Sequence, residues 1–196
     1  MNYKMINEIK DYAAINSVPI MQDEGIEFLT TFIVNKKIKS VLEVGTAIGY
    51  SAIMMAITNP DLKVVTIERD EERYIEALKN IKKFNLDDRI TLIFKDALEV
   101  NLKDKFDLIF LDGAKGQNIN FFEHFENNLN DDGYIITDNI NFHGYVLKNE
   151  EEIKSRNLRG LVRKIKKYIE YLKANKKYET TFYEKGDGIS VSLKKQ

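Results

Sequence analysis

Val41-Leu42-Glu43-Val44-Gly45-Thr46-Ala47-Ile48-Gly49-Tyr50-Ser51 reads as a buried strand that ends near an acid, turns through two glycines and enters a helix. Glycine lets the backbone approach a ligand where a side chain would block it. A helix beginning near Gly49 offers N–H groups that have no partner inside the helix, and these suit the acceptors of a ligand. A second apolar run, residues 63–67, leads into Glu68, 23 residues beyond Gly45. An acid about 20 residues past the glycine turn is where nucleotide-binding α/β folds hold ribose hydroxyls. Glycines at 45 and 49 give GxxxG, with Ile48 where the dinucleotide fingerprint GxGxxG needs glycine. A pyrophosphate would be poorly cradled there. An adenosyl group without phosphates fits better.

Outward from this stretch, short apolar runs alternate with helical patterns, which places the fold in the α/β class. Residues 3–16 and 22–36 predict two N-terminal helices ahead of the core. Strands are expected at 40–44, 63–67, 90–94, 107–111 and 134–137, with helices near 49–58, 70–84 and 117–129 between them. Asn59-Pro60 stops the first of these helices. A long helix over about 156–175 precedes two further runs, 178–183 and 189–193. Gly186-Asp187-Gly188 separates those runs and predicts a hairpin, because glycine accepts the positive φ of tight turns. No repeat, Pro-rich linker or low-complexity tract interrupts residues 1–196, so one domain is expected.

Composition excludes several classes. With no cysteine there is no thiolate nucleophile and no cysteine-based zinc site, and two histidines cannot build a histidine-rich centre. No run of about 18 apolar residues points to a membrane, and no targeting segment is evident. The expectation is a cytoplasmic protein. The net charge of −1 hides an uneven distribution. Residues 156–177 hold nine Lys/Arg against one acid, Glu170, so the rest of the chain is acidic.

In a parallel sheet, ligands gather beyond the carboxyl ends of the strands. Glu43, Glu68, Asp96, Asp112, Asp138 and Asn139 all fall at such ends. One such acid is commonly a loop residue or a helix cap, but five acids and an amide on five strands point to a site. Glu68 suits ribose, since a carboxylate can accept from two vicinal hydroxyls. Asp112, Asp138 and Asn139 form an all-oxygen set that suits Mg²⁺. Neighbours on a strand point to opposite faces, so Asp138 and Asn139 can share an ion only if the strand ends there and the chain turns.

Three motifs, in this order, carry a resemblance. Glu43-Val44-Gly45-Thr46-Ala47-Ile48-Gly49-Tyr50-Ser51, the strand Phe106-Asp107-Leu108-Ile109-Phe110-Leu111-Asp112-Gly113-Ala114-Lys115, and Asp138-Asn139 resemble S-adenosylmethionine-dependent O-methyltransferases of the catechol and caffeoyl-CoA type. The resemblance implies a class I methyltransferase (Rossmann-like) fold: a mostly parallel seven-stranded sheet, a C-terminal antiparallel hairpin, and helices on both faces. It places Glu43, Gly45, Tyr50, Ser51, Glu68, Asp96, Ala97 and Asp112 around S-adenosylmethionine. It makes Asp112, Asp138 and Asn139 ligands of Mg²⁺, and Lys115 the base that takes the proton from the acceptor hydroxyl. It also implies a homodimer. Tyr50 could equally be core, and Asp96 could cap the turn after it. His143 receives no role, and His124 is read as structural.

Such a metal asks for an acceptor with two vicinal oxygens, which catechols and 5-hydroxyuridine both provide. On the helix from residue 156, Arg156, Arg159 and Arg163 share one face with Lys167, while Leu161, Ile165, Ile169 and Leu172 occupy the other. Three of the chain's six arginines fall in those eight residues. Arginine forks suit phosphates, although a solvated charged face needs no partner. The segment 156–159, the loop 138–144 and the turn 186–188 resemble the bacterial tRNA 5-hydroxyuridine methyltransferases, which implies a tRNA anticodon loop as partner. The alternative is a catechol-like phenol.

Overall fold

The computed structural model describes residues 3–195. Helices α1 (Tyr3–Ile15) and α2 (Asp23–Asn35) come first, then β1 (Ser40–Val44), α3 (Tyr50–Thr58), β2 (Lys63–Glu68), α4 (Glu71–Lys83) and β3 (Ile90–Phe94). They are followed by β4 (Phe106–Leu111), α5 (Asn118–Phe125), β5 (Leu129–Asp138), α6 (Arg156–Ala174), β6 (Tyr178–Tyr183) and β7 (Ile189–Lys194). The strands form a seven-stranded sheet in the order β3-β2-β1-β4-β5-β7-β6. The chain divides into two compact units, up to Asn101 and from Leu102 onward. Among the described residues no helix is long and apolar enough to cross a membrane.

In the first unit β1, β2 and β3 run parallel, with Val44 beside Ile67 and Ile67 beside Ile93. This register brings their carboxyl ends to one edge. Val41, Leu42, Val44, Val64 and Ile67 are almost wholly buried, as strands of a covered parallel sheet must be. Asp70 caps α4 by accepting the Arg73 N–H at 3.0 Å. Glu71 and Glu72 in the first turn and Lys82 and Lys83 in the last match the helix dipole.

In the second unit β4 and β5 are parallel, β5 pairs antiparallel with β7, and β7 with β6. The expected hairpin is present. Two boundaries differ from the sequence pattern. The helix predicted to reach 129 stops at Phe125 and tightens into a 3₁₀ turn over Glu126–Asn128, where the Asn128 amide donates to the carbonyls of Leu102 and Asp104. Strand β5 starts at Leu129, earlier than expected, with a register shift opposite Phe106 and Leu108. Asn130 donates to Asp107 at 2.8 Å and keeps this irregular stretch beside β4.

Helix α6 buries Val162, Ile165, Tyr168 and Leu172, while Leu161 and Ile169 are only half-buried. The Phe122 ring meets Tyr168, Tyr171 and Tyr178 edge-on, with centroids 4.9–6.5 Å apart. The Tyr168 and Thr137 hydroxyls share a buried hydrogen bond of 2.6 Å. Burial pushes the Tyr168 phenol well above its ordinary pKa, so it stays neutral. Tyr168→Phe leaves the Thr137 hydroxyl without this partner, and a loss of about 1–3 kcal/mol is expected, read from the urea midpoint at unchanged m-value. Combining Tyr168→Phe with Thr137→Val should recover most of that loss. A double variant no more stable than the single one would show that the bond contributes nothing.

Candidate active site

In the first unit, the turn after β1 is shaped by two acids. Glu43 is fully buried. Its Oε1 accepts from Ser51 and its Oε2 from Thr66, each at 2.5 Å, and Thr66 also bonds Thr46 at 2.6 Å. A buried carboxylate is tolerated when hydrogen bonds replace its water. In this state Glu43 and Ser51 face each other, locking β1, β2 and the start of α3 beneath the glycine turn.

Glu68 sits at the end of β2 and is 7% exposed. Its Oε2 accepts the Ala47 N–H at 2.8 Å, and its Oε1 accepts those of Arg69 and Asp70 at 2.8 and 2.9 Å. Glu68 therefore holds the turn itself, a link that spacing along the sequence could not reveal. Gly45 and Gly49 have φ of 99° and 86°, and Ala47 between them has 47°. Gly49 stands at the N-terminus of α3 and, as a glycine, brings no capping side chain to the first helical N–H groups.

Asp96 caps its 3₁₀ turn by accepting from Leu98 and also pairs with Arg69, both at 3.0 Å. The Leu98 N–H, more than Arg69, holds its carboxyl below the ordinary range. The capping role is thus present, and Ala97 behind it is buried. The Tyr50 ring is buried, and its hydroxyl reaches Asp23 at 3.5 Å, where Lys10 also pairs.

The second unit gathers Asp112, Lys115, Asp138 and Asn139. Strand β5 ends at Asp138, and Asn139 has a left-handed φ of 59°. The chain turns at that point, which meets the condition for neighbours to serve one ligand. Lys115, on a 3₁₀ turn after β4, donates to Asp112 at 2.5 Å. Asp138 is 2% exposed. Burial, then repulsion from Asp112, lifts its carboxyl to about 7, although Lys115 and the Asn139 N–H oppose the rise. Asp187, in the β6–β7 turn, adds further repulsion. Sequence reasoning noticed this turn but not that its acid belongs near Asp138; only the glycines flanking it hinted at a constrained backbone.

Among the described residues no three His, Cys, Asp or Glu side chains form a metal-holding group. Two carboxylates and an amide remain. They suit a hard cation that keeps water or ligand oxygens, not one enclosed by protein.

The three arginines do not form a uniform face. Arg159 donates to the carbonyls of Ile153 and Lys154 at 2.6 and 3.1 Å, holding the segment that enters α6. Arg163 forks onto Glu150 at 2.7 and 2.6 Å. The Arg156 side chain is exposed and makes no hydrogen bond or ion pair among the described residues. An exposed pair such as Arg163–Glu150 is weak and can exchange partners.

Residues 2–195 match the family model described as O-methyltransferase. The chain is 28% identical over 190 residues to a caffeoyl-CoA O-methyltransferase of Populus kitakamiensis, covering 93% of this chain and 80% of the relative. A structure from Staphylococcus aureus, provisionally named a caffeoyl-CoA O-methyltransferase, superposes with a TM-score of 0.92 at 35% identity, covering 97% of this chain and 92% of that one. An O-methyltransferase from Bacillus cereus, solved in complex with SAH, gives a TM-score of 0.84 at 25% identity, with 98% and 91% covered.

The two-carboxylate arrangement has a titration signature. In protein without added metal, carbon-13 NMR of the Asp138 carboxyl should give a midpoint of about 7, and Asp112→Asn should lower it. The folded value is raised, so the contribution of Asp138 to stability is complete below the unfolded carboxylate pKa of about 3.9 and is lost as pH rises through about 7. An Asp138 midpoint in the ordinary carboxylate range would refute this account of the site.

Proposed function

Because the chain belongs to the O-methyltransferase family, we propose that it methylates a hydroxyl whose neighbouring carbon bears a second oxygen, with S-adenosylmethionine as donor and Mg²⁺ as metal. The observation that carries this reading is the end of β5: Asp138 closes the strand and Asn139 turns with φ 59°, while the Asp112–Lys115 pair lies in the same unit. The raised proton affinity of Asp138 marks a place where a second positive charge would be welcome.

In the first unit, Glu68 and the glycine turn it holds would bind the adenosyl ribose, and the uncapped start of α3 would offer N–H donors. In the second, Asp112, Asp138 and Asn139 would hold the metal. When bound, Mg²⁺ would make the acceptor hydroxyl more acidic. Lys115 must be neutral when it meets that hydroxyl, whose proton it then takes on Nζ. The donor supplies an electrophilic methyl on a sulfonium: the oxygen–carbon bond forms as the carbon–sulfur bond breaks, leaving a neutral thioether. Lys115 is mostly buried, which limits the water that could compete for that proton.

We read the acceptor as 5-hydroxyuridine at the wobble position of tRNA. Exposed Arg156, with Lys164, Lys167 and Lys173 exposed along α6, supports this as a surface for phosphates. A catechol-like phenol is the second reading. The internal engagement of Arg159 and Arg163 favours it, as does similarity to a relative named for caffeoyl-CoA.

Three outcomes are expected. Glu68→Ala should weaken S-adenosylmethionine binding by about 1.5–3 kcal/mol, the usual contribution of hydrogen bonds to a charged group; unchanged affinity by calorimetry would remove Glu68 from the donor site. EDTA should abolish turnover and Mg²⁺ restore it, with Asp138→Ala beyond rescue yet still binding donor. The substrate test replaces Arg156 and Arg163 with glutamine. KM for hydroxyuridine-bearing tRNA should rise, and sensitivity to salt should fall by about 0.7–0.9 in log–log slope for each phosphate no longer neutralised. Wild-type tRNA kinetics in that variant, with ready turnover of a vicinal diphenol, would decide for the phenol.

A further inference from the structure

The segment just past β5 follows a strained path. Phe142, His143 and Gly144 have consecutive φ values of 46°, 53° and 75°. The first two carry side chains, and left-handed residues other than glycine persist only when their surroundings hold them. Inside the segment the bend is closed by Tyr145 N–H donating to Phe142 O at 3.0 Å and, more loosely, by Val146 N–H donating to Asn141 O at 3.4 Å.

A second hold, from outside the segment, comes from the turn between β6 and β7. The Asp187 carbonyl accepts the Asn141 N–H at 2.9 Å, and the Gly188 carbonyl accepts that of Ile140 at 3.0 Å. Oδ1 of Asp187 accepts the His143 N–H at 2.5 Å. The two chains lie so close that a Cβ on Gly188, where φ is +84°, would stand 2.9 Å from Asn141 Cβ and 3.0 Å from its nitrogen. Asp187 is only 6% exposed. Its Oδ2 is buried without a hydrogen bond among the described residues. The His143 Nδ1 lies 3.6 Å from that oxygen, beyond hydrogen-bond range. A buried carboxylate oxygen left without a donor is costly. An apolar side chain at 187 would avoid that cost, but it could not accept from His143.

We propose that Asp187 is a positioning residue: by accepting the His143 N–H it sets the 139–144 segment and, through it, the direction of Asn139. The consequence for the reaction rests on the acceptor-binding role given to Asp138 and Asn139 above, whereas the hold on the segment does not. Asp187 itself touches no reacting atom.

Amide hydrogen exchange, followed by NMR on the full chain without donor or metal, reads the hold directly. Asp187→Ala should speed exchange at His143 by about ten- to a hundredfold, the loss expected for a hydrogen bond to a charged acceptor, and at Asn141 to a smaller extent, since its backbone acceptor remains, with Ile135 and Ile136 in β5 unchanged. Asp187→Asn keeps an oxygen for the His143 N–H and should restore protection. His143→Ala keeps the backbone donor and should also remain protected. In kinetics, Asp187→Ala should raise acceptor KM more than it lowers kcat and leave calorimetric affinity for S-adenosylhomocysteine unchanged. A folded Asp187→Ala with wild-type protection at 141–143 would overturn the proposal. So would an unprotected His143 amide in the wild type, a measurement that decides the matter even if the alanine variant does not fold. Exchange that loosens as expected while acceptor kinetics stay at the wild-type level supports the positioning and overturns the acceptor role of Asn139 instead.

Discussion

Four carboxylates that lie almost wholly out of water, Glu43, Glu68, Asp138 and Asp187, impose the constraint around which both units are arranged. Burying such a charge is tolerable only if hydrogen bonds or an opposite charge replace the lost water. The first unit answers fully. Glu43 is met by two hydroxyls and Glu68 by three backbone N–H groups. The second answers in part. Asp187 keeps one oxygen unmet, and Asp138 avoids the cost by holding its proton up to about pH 7. Completed networks rigidify a scaffold, while the unfinished one marks where a ligand's charge would be accepted.

The same contrast separates the two halves of the proposed chemistry. A donor site benefits from a preformed turn, and the Glu68 carboxylate supplies one by holding Ala47 between two left-handed glycines. An acceptor site must take a metal and a hydroxyl whose charges change during the reaction. In the proposed acceptor site, Lys115 already sets a cation beside the Asp112 carboxylate. Asp187 then has a task that packing alone does not explain: it helps keep the backbone beyond Asn139 in a conformation that favours glycine, although Phe142 and His143 adopt it.

Helix α6 shows how far charge on an amphipathic helix can be interpreted. Its apolar stripe is turned from the one that periodicity predicts: Ile165 and Leu172 are buried as expected, but Val162 and Tyr168 take the buried places while Leu161 and Ile169 stand half-open. Its basic face is another matter. A helical wheel places Arg159 and Arg163 on one surface, but it contains neither the carbonyls of Ile153 and Lys154 nor the Glu150 carboxylate that engage them. Those partners come from a loop whose return to the helix has no local signature.

By itself, the sequence determined what repeats or stands at a short fixed spacing. The alternation of apolar runs and helical stripes marked the strands, the parallel core and the hairpin, because side-chain periodicity is a local property of backbone geometry. The acids at strand ends were legible for the same reason, as was the turn at Asp138-Asn139 that a shared ligand would need. Only the tertiary structure decided which of those acids are satisfied. That Glu43 faces Ser51 and Thr66, that Glu68 grips the Ala47 N–H, and that Asp187 reaches His143 depends on segments 8 to 44 residues apart. Their approach is set by strand register and helix packing. Electrostatics follows distance through space, and no pattern along the chain encodes that distance until the chain has folded.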